Sequence, residues 1–183
     1  MTLQEQSGEI LPPPTPTEIE RKFLVTTLPE NLNAYDHEQI RQGYLVIGKD
    51  GSEARVRDRD GSFTMTVKSK GDLSRGEWET AITAEQFETL WPATEGKRVE
   101  KVRFSIPTGD GLTIELDIYD GDLAGLVSAE IEFVSADSAE AFIAPDWLGK
   151  DVTEIKSMKN QQLAENGFPL EVLDVGPDLP SSI

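Results

Sequence analysis

Pairs of like charges, two positions apart, recur along this chain in short segments that alternate charged and apolar residues. The carboxylate pairs are Glu18 and Glu20, Glu77 and Glu79, Glu115 and Asp117, and Glu130 and Glu132; the basic pairs are Arg55 and Arg57, Lys68 and Lys70, and Lys101 and Arg103. Carboxylates bind hard divalent cations such as Mg²⁺ and Mn²⁺. Arg and Lys bind phosphate oxygens through charge-assisted hydrogen bonds. The two kinds of pair together suit a linear polyphosphate and its metal ions.

The spacing of two predicts β-strands, because successive side chains of a strand point to opposite faces. In the segment 18–25, Glu18, Glu20 and Lys22 share one face. Any single strand of this kind is also explained by the solvated outer face of an antiparallel sheet. The recurrence of unmixed pairs favours a ligand, since like charges two positions apart on an exposed face repel each other.

The elements that must position these pairs are short strands joined by turns, several of them Asp-Gly turns. The alternation predicts eight strands, at 18–25, 39–47, 53–59, 63–70, 77–82, 98–106, 112–119 and 127–134. Helices are predicted at 84–91, 138–148 and 152–166. Asp-Gly turns join antiparallel neighbours, and eight such strands can close into a barrel. We therefore predict an α+β, mainly β fold: eight antiparallel strands that can form a closed β-barrel with a charged lumen and helices packed outside.

Composition limits the class of protein. A Pro-rich segment predicts a disordered leader at 1–17, followed by one tunnel domain at 18–168 and an acidic, irregular tail at 169–183. The chain has no cysteine, which excludes disulfides and thiolate chemistry, and a net charge of -17. That charge argues against nucleic acid and membrane partners, because its average field repels polyanions. Without a signal or membrane-spanning pattern, we predict a soluble, cytoplasmic protein.

The order of the charged segments resembles that of the CYTH superfamily, the triphosphate tunnel metalloenzymes. The resemblance covers residues 18–165 and rests on the ordered series rather than on any one motif. The matching segments are Glu18-x-Glu20-x-Lys22, Arg55-x-Arg57, Lys68, Glu77-x-Glu79, Lys101-x-Arg103 and Glu130-x-Glu132. It implies an eight-stranded antiparallel tunnel that cleaves a triphosphate with Mg²⁺ or Mn²⁺.

The resemblance also implies roles for individual residues. The implied metal ligands are Glu18, Glu20, Glu130 and Glu132, with Glu77, Glu79, Glu115 and Asp117 as helpers; the implied phosphate ligands are Lys22, Arg55, Arg57, Lys68, Lys101 and Arg103. Tyr44 matches a tyrosine beside the motif lysine that helps to activate water. Lys22, with a pKa lowered among cations, is expected to assist it. The family's late helix arginine is missing here, and Lys156 is predicted to replace it, with Lys159 as the alternative.

The predicted activity is metal-dependent hydrolysis of inorganic tripolyphosphate to pyrophosphate and phosphate, with the small-molecule triphosphate as the partner. Thiamine-triphosphatase and class IV adenylate cyclase are the enzymatic alternatives, because each must grip a triphosphate with the same residues. A cyclase must also bind adenine, and the sequence shows no clear nucleobase pocket. A polyphosphate-binding module without turnover is the non-enzymatic alternative. The sequence does not give the oligomeric state, and a homodimer is one possibility.

Overall fold

A nine-stranded antiparallel sheet forms most of the computed structural model, which describes residues 19–70 and 76–172. The strands are β1 (Ile19–Val25), β2 (Asp36–Ile47), β3 (Glu53–Arg59), β4 (Ser62–Lys68), β5 (Glu77–Ala81), β6 (Arg98–Pro107), β7 (Thr113–Tyr119), β8 (Val127–Phe133) and β9 (Leu148–Asp151). The helices are α1 (Ala84–Leu90), α2 (Ala136–Ala141) and α3 (Asn160–Asn166), with 3-10 turns at Leu32–Ala34, Trp91–Thr94, Gly121–Leu123, Lys156–Met158 and Leu170–Val172. The mainly β, α+β class is confirmed. The leader at 1–17, Glu18 and the tail beyond 172 lie outside the described residues.

The strand order is β5-β4-β3-β2-β6-β7-β8-β1-β9. Among the described strands, the two edges of this order, β5 and β9, are not hydrogen-bonded to each other. The sheet therefore has nine strands instead of eight, and the predicted closed barrel is not confirmed by its hydrogen bonds.

The ninth strand, β9, lies at the break between the helices predicted at 138–148 and 152–166, where the sequence predicted no strand. α2 ends at Ala141, ahead of Pro145, and β9 then pairs with β1, with Phe23 opposite Asp151 and Val25 opposite Leu148. A Cβ atom at Gly149 would lie only 2.9 Å from the carbonyl oxygen of Leu24, so glycine lets the two backbones approach. This pairing joins residues far apart in the sequence, so local helix periodicity could not reveal it.

The predicted alternation of side chains is confirmed. Directly opposite residues of neighbouring strands share a face, and the register sets Lys22 opposite Glu130 and Arg103 opposite Asp117. The intervening residues, such as Leu116 and Ala129, are fully buried on the other face. One face of the sheet is therefore charged and the other is an apolar core.

The helices and loops cover the apolar face and one end of the charged face. The segment that follows α2 packs Phe142 against Phe23 and Phe133 of the outer core. α3 contributes Leu163 to a second apolar cluster that includes Tyr44 and Val99. The second cluster closes off the charged face at one end, because it contains side chains of β2 and β6 that point to that face.

Among the residues that the structure describes, none of the helices is long and apolar enough to cross a lipid bilayer.

Candidate active site

A cavity of about 360 Å³ lies on the charged face of the sheet. Strands β1, β2, β3, β4, β6 and β8 line it, together with residues between 152 and 161. The predicted site residues that it brings together are Glu20, Lys22, Tyr44, Arg55, Arg57, Lys68, Lys101, Arg103 and Glu130. Eight of the lining side chains are basic and three are acidic. The wall is strongly positive within a molecule whose net charge is -17.

Lys22 is held by two acceptors at the bottom of this cavity. Its Nζ donates to Glu130 Oε1 at 2.8 Å and to the Met158 carbonyl oxygen at 2.8 Å, and the residue is 6% exposed. Burial alone would lower the pKa of Lys22, but Tyr119 and the carboxylates of Glu130 and Asp117 raise it above its ordinary value. The expected lowering of this pKa is therefore wrong, and Lys22 stays protonated.

Asp117 lies beneath the cavity, fully buried, and serves as the acceptor for two cations. Lys101 Nζ donates to Asp117 Oδ2 at 2.5 Å, and Arg103 donates to both carboxylate oxygens at 2.7 Å. Arg103 also donates to Glu115 and, at 2.8 Å, to Glu130 Oε2. Asp117 does not reach the cavity in this structure, so the arrangement favours a scaffold role over the predicted metal-binding role.

Arg55, Arg57 and Arg59 of β3 line the cavity together and form its arginine wall. Burial, followed by repulsion from Arg55, lowers the pKa of Arg57 to about 10. The buried Nε atoms of Arg55 and Arg59 have no hydrogen-bond partner in the described structure. Buried donors without partners are costly, and a bound anion would satisfy them. The terminal nitrogens of the same two arginines pair with Glu53 and Glu38. Arg59 was not predicted, although it has the same strand parity as Arg55 and Arg57.

Four of the predicted carboxylates lie opposite one another in pairs on β1, β7 and β8. Glu20 is opposite Glu132 in the β1–β8 pair, and Glu115 is opposite Glu130 in the β7–β8 pair. Glu115, Glu130 and Glu132 also line a second cavity of about 220 Å³. These oxygen donors fit a hard divalent cation. Within residues 19–70 and 76–172, however, no three carboxylate or histidine side chains are yet gathered closely enough to hold a metal.

Among the described residues, the predicted site residues that do not line the main cavity are Glu77, Glu79, Glu115, Asp117, Glu132 and Lys156. Glu77 pairs with Lys68 at 3.0 Å, and Glu79 accepts a hydrogen bond from Thr66 at 2.7 Å. Lys156 begins the 3-10 turn, whereas Lys159 lines the cavity. The geometry thus favours Lys159 as the late-chain cation at this site.

Several lining residues carry no charge and were not predicted: Gln42, Thr153, Asn160 and Gln161. Gln42 could have been found, because it has the same parity on β2 as Tyr44. The other three lie outside the sheet or in α3, and strand alternation gives no signal for them.

The ion pair between Lys22 and Glu130 predicts a pH-dependent stability. Burial would raise the pKa of Glu130, but Lys22, Lys101 and Arg103 lower it well below its ordinary value. Its stabilising contribution is therefore present above the unfolded value of about 4.3 and is lost as the pH falls toward the folded value. The contribution of Lys22, whose pKa is raised, is present below its unfolded value of about 10.4 and is lost above its folded value.

We expect urea unfolding to show a loss of stability between pH 7 and pH 3.5 that is smaller in Glu130→Gln than in the wild type. The variant lacks the titrating carboxyl, so only the other acids contribute to its loss. An equal loss in the two proteins would contradict the assignment of a lowered pKa to Glu130.

The described sheet, with its charged face and paired carboxylates, agrees with the family comparison. The model of the CYTH domain matches residues 16–165. The chain belongs to the CYTH domain family, and the resemblance seen in the sequence is confirmed.

Two relatives in this family are named inorganic triphosphatase. The protein from Nitrosomonas europaea is 52% identical over 149 residues, which are 81% of this chain and 97% of the relative. The protein from Acetivibrio thermocellus is 36% identical over 157 residues, which are 82% of this chain and 95% of the relative. A crystal structure of an inorganic triphosphatase aligns with a TM-score of 0.70 and 48% identity, covering 81% of this chain and 95% of that one.

Proposed function

We propose that this protein hydrolyses inorganic tripolyphosphate to pyrophosphate and phosphate in the cavity on its charged face. The observation that carries the proposal is the wall of eight basic and three acidic side chains in a molecule of net charge -17. A small polyanion is the ligand that such a wall recognises locally, against the field of the rest of the molecule. The names and the high identity of the two relatives support the same activity.

The arginine and lysine side chains would hold the phosphate chain. Arg55 and Arg57 offer guanidinium donors that match phosphate oxygens, and Arg103 is held in position by Asp117. These charges would stabilise the transferring phosphoryl group and the departing pyrophosphate. Lys22 is protonated and bonded to Glu130, so its role would be to hold positive charge near the reacting phosphate instead of accepting a proton from water.

Glu20, Glu130 and Glu132 would hold the divalent metal, with Glu18 added from outside the described residues. A bound Mg²⁺ or Mn²⁺ would supply positive charge to the phosphate oxygens and lower the pKa of a coordinated water. The registers that set Glu20 beside Glu132 and Lys22 beside Glu130 support this assignment. The choice between Mg²⁺ and Mn²⁺ stays a prediction.

The closed tunnel is part of the proposal. Basic residues of β3 and β4 line the same cavity as residues of β1 and β8, although these strands stand far apart in the strand order. A sheet that brings them around one cavity must curve strongly, which supports a tunnel. The cytoplasmic location and the homodimer remain predictions from the sequence.

A phosphate-release panel tests the activity. With Mg²⁺ or Mn²⁺ present, we expect the wild-type protein to release phosphate from tripolyphosphate faster than from ATP or thiamine triphosphate, and to form no cyclic AMP from ATP. Preference for thiamine triphosphate or formation of cyclic AMP would replace the proposal with one of those activities. A silent panel with tight tripolyphosphate binding would favour the binding module.

A variant of the arginine wall connects the activity with the cavity. Arg57→Ala is expected to raise KM for tripolyphosphate about tenfold, through loss of a charge-assisted contact. Arg41→Ala is the matched control, because it removes a guanidinium that pairs with Asp58 and Glu88 away from the cavity. Equal KM changes in the two variants would show that the substrate binds elsewhere.

A further inference from the structure

Gln42 is a buried, uncharged polar residue that lines the cavity and has no assigned role in the proposed reaction. It lies on β2 two positions before Tyr44 and is 3% exposed. Its Oε1 accepts a hydrogen bond from Arg57 Nε at 2.8 Å, and its Nε2 donates to the Tyr44 hydroxyl oxygen at 2.9 Å. A single amide therefore joins the arginine wall to the candidate catalytic tyrosine.

The direction of both hydrogen bonds follows from the chemistry of the three groups. An arginine Nε–H can only donate, so the atom of Gln42 that faces it must be the amide oxygen. The other end of the amide is then the NH₂ group, which can only donate to Tyr44. The Nε–H group of Arg57 therefore fixes the orientation of the Gln42 amide.

The same reasoning fixes the direction of the Tyr44 hydroxyl. Because its oxygen accepts from Gln42, its own proton must point away from Gln42. Arg55 also hydrogen-bonds the Tyr44 hydroxyl, and its guanidinium can only donate. Gln42 and Arg55 thus both donate to the Tyr44 hydroxyl oxygen, and Tyr44 is 1% exposed and lines the cavity. An anion bound in the cavity would offer this proton an acceptor.

We propose that Gln42 is a positioning residue that makes Tyr44 a hydrogen-bond donor to a phosphate oxygen of the bound substrate. By taking the Nε–H of Arg57, the same amide also leaves the two terminal nitrogens of Arg57 for the phosphate chain. The inference rests on the proposed triphosphatase activity. Tyr44 then assists the reaction by donating to developing negative charge, not by removing a proton from water.

Two variants separate the two ends of the amide. Gln42→Glu keeps an acceptor for Arg57 but cannot donate to Tyr44, and its carboxylate instead draws the Tyr44 proton toward itself. Gln42→Met removes both hydrogen bonds and keeps the approximate side-chain volume. We expect Gln42→Glu to lower kcat about tenfold with little change in KM, whereas Gln42→Met lowers kcat and also raises KM.

A double-mutant cycle with Tyr44→Phe tests whether Gln42 acts through the tyrosine. We expect each Gln42 substitution to cause no further loss of kcat in the Tyr44→Phe background, because there is no hydroxyl left to direct. The KM increase of Gln42→Met should persist there, since it arises through Arg57. Tripolyphosphate hydrolysis is measured in all variants, with thermal unfolding as a check on folding. If Gln42→Met does not fold, the cycle with Gln42→Glu gives the same test.

Full additivity of the kcat losses, or wild-type kcat in folded Gln42→Glu, would overturn the inference. Failure of the proposed function is a different result: the wild-type protein itself would then release no phosphate from tripolyphosphate.

Discussion

Replacing Glu130 with glutamine is expected to lower tripolyphosphate turnover by about 10²–10³-fold, the scale for loss of a charged group that acts at the reacting centre. Glu130 receives hydrogen bonds from Lys22 and Arg103 and lies between the two cavities of the charged face. The amide keeps the shape and one acceptor oxygen but not the charge. The loss should appear in kcat, because Arg55 and Arg57, which we propose to bind the phosphate chain, are unchanged.

A Glu130→Gln protein should also require a higher concentration of Mg²⁺ or Mn²⁺ for half-maximal rate. Glu140→Gln is the matched control, since it removes the same charge from an exposed position of α2. Circular dichroism and urea unfolding would show that the variant is folded under assay conditions. Turnover and metal requirement like those of the wild type, in a folded variant, would remove Glu130 from the proposed site.

Substitution of Asp117 by alanine is expected to produce a larger loss of stability than any other single change considered for this site, about 3–5 kcal/mol in the free energy of unfolding. The side chain is fully buried and accepts hydrogen bonds from Lys101 and Arg103. Without it, Lys101 keeps its charge in a buried position with no described carboxylate beside it at bonding distance. Urea unfolding at neutral pH measures the loss.

Asp117→Asn distinguishes a scaffold from a metal ligand. The amide has nearly the same shape as the carboxylate but carries no negative charge to balance Lys101 and Arg103. We expect a smaller loss of stability than in Asp117→Ala, together with a reduced kcat because the two cations are displaced. The concentration of Mg²⁺ or Mn²⁺ for half-maximal rate should be unchanged. A strongly raised metal requirement would restore the ligand role that the sequence predicted for Asp117.

Glu130 and Asp117 are linked through hydrogen bonds to the same arginine. Arg103 connects them, because it donates to Asp117, Glu115 and Glu130. Its orientation is therefore fixed before any substrate arrives, which lowers the cost of arranging charge around the phosphate chain. Arg55 and Arg59 are different, since each has a buried Nε with no described partner.

The alternation of charged and apolar residues was sufficient to predict most of the charged residues of the cavity wall. Glu20, Lys22, Arg57 and Lys101 all line it, because side-chain parity in a strand is a local property that the sequence carries directly. Gln42 and Arg59 have the same parity and also line the cavity, but Gln42 carries no charge and Arg59 lies at the end of its strand, where a solvated side chain is the ordinary expectation. Glu79 has the predicted parity too, yet it bonds Thr66 outside the cavity lining.

By itself, the sequence determined the antiparallel β class, the charged face and the family, because all three follow from local spacing and from the order of segments along the chain. The tertiary structure decided which carboxylates reach the cavity and which form buried ion pairs with lysine and arginine side chains. It set Asp117 beneath Lys101 and Arg103, raised the pKa of Lys22 and paired β9 with β1. Each of these depends on the register and packing of residues distant in sequence, for which a local pattern carries no information.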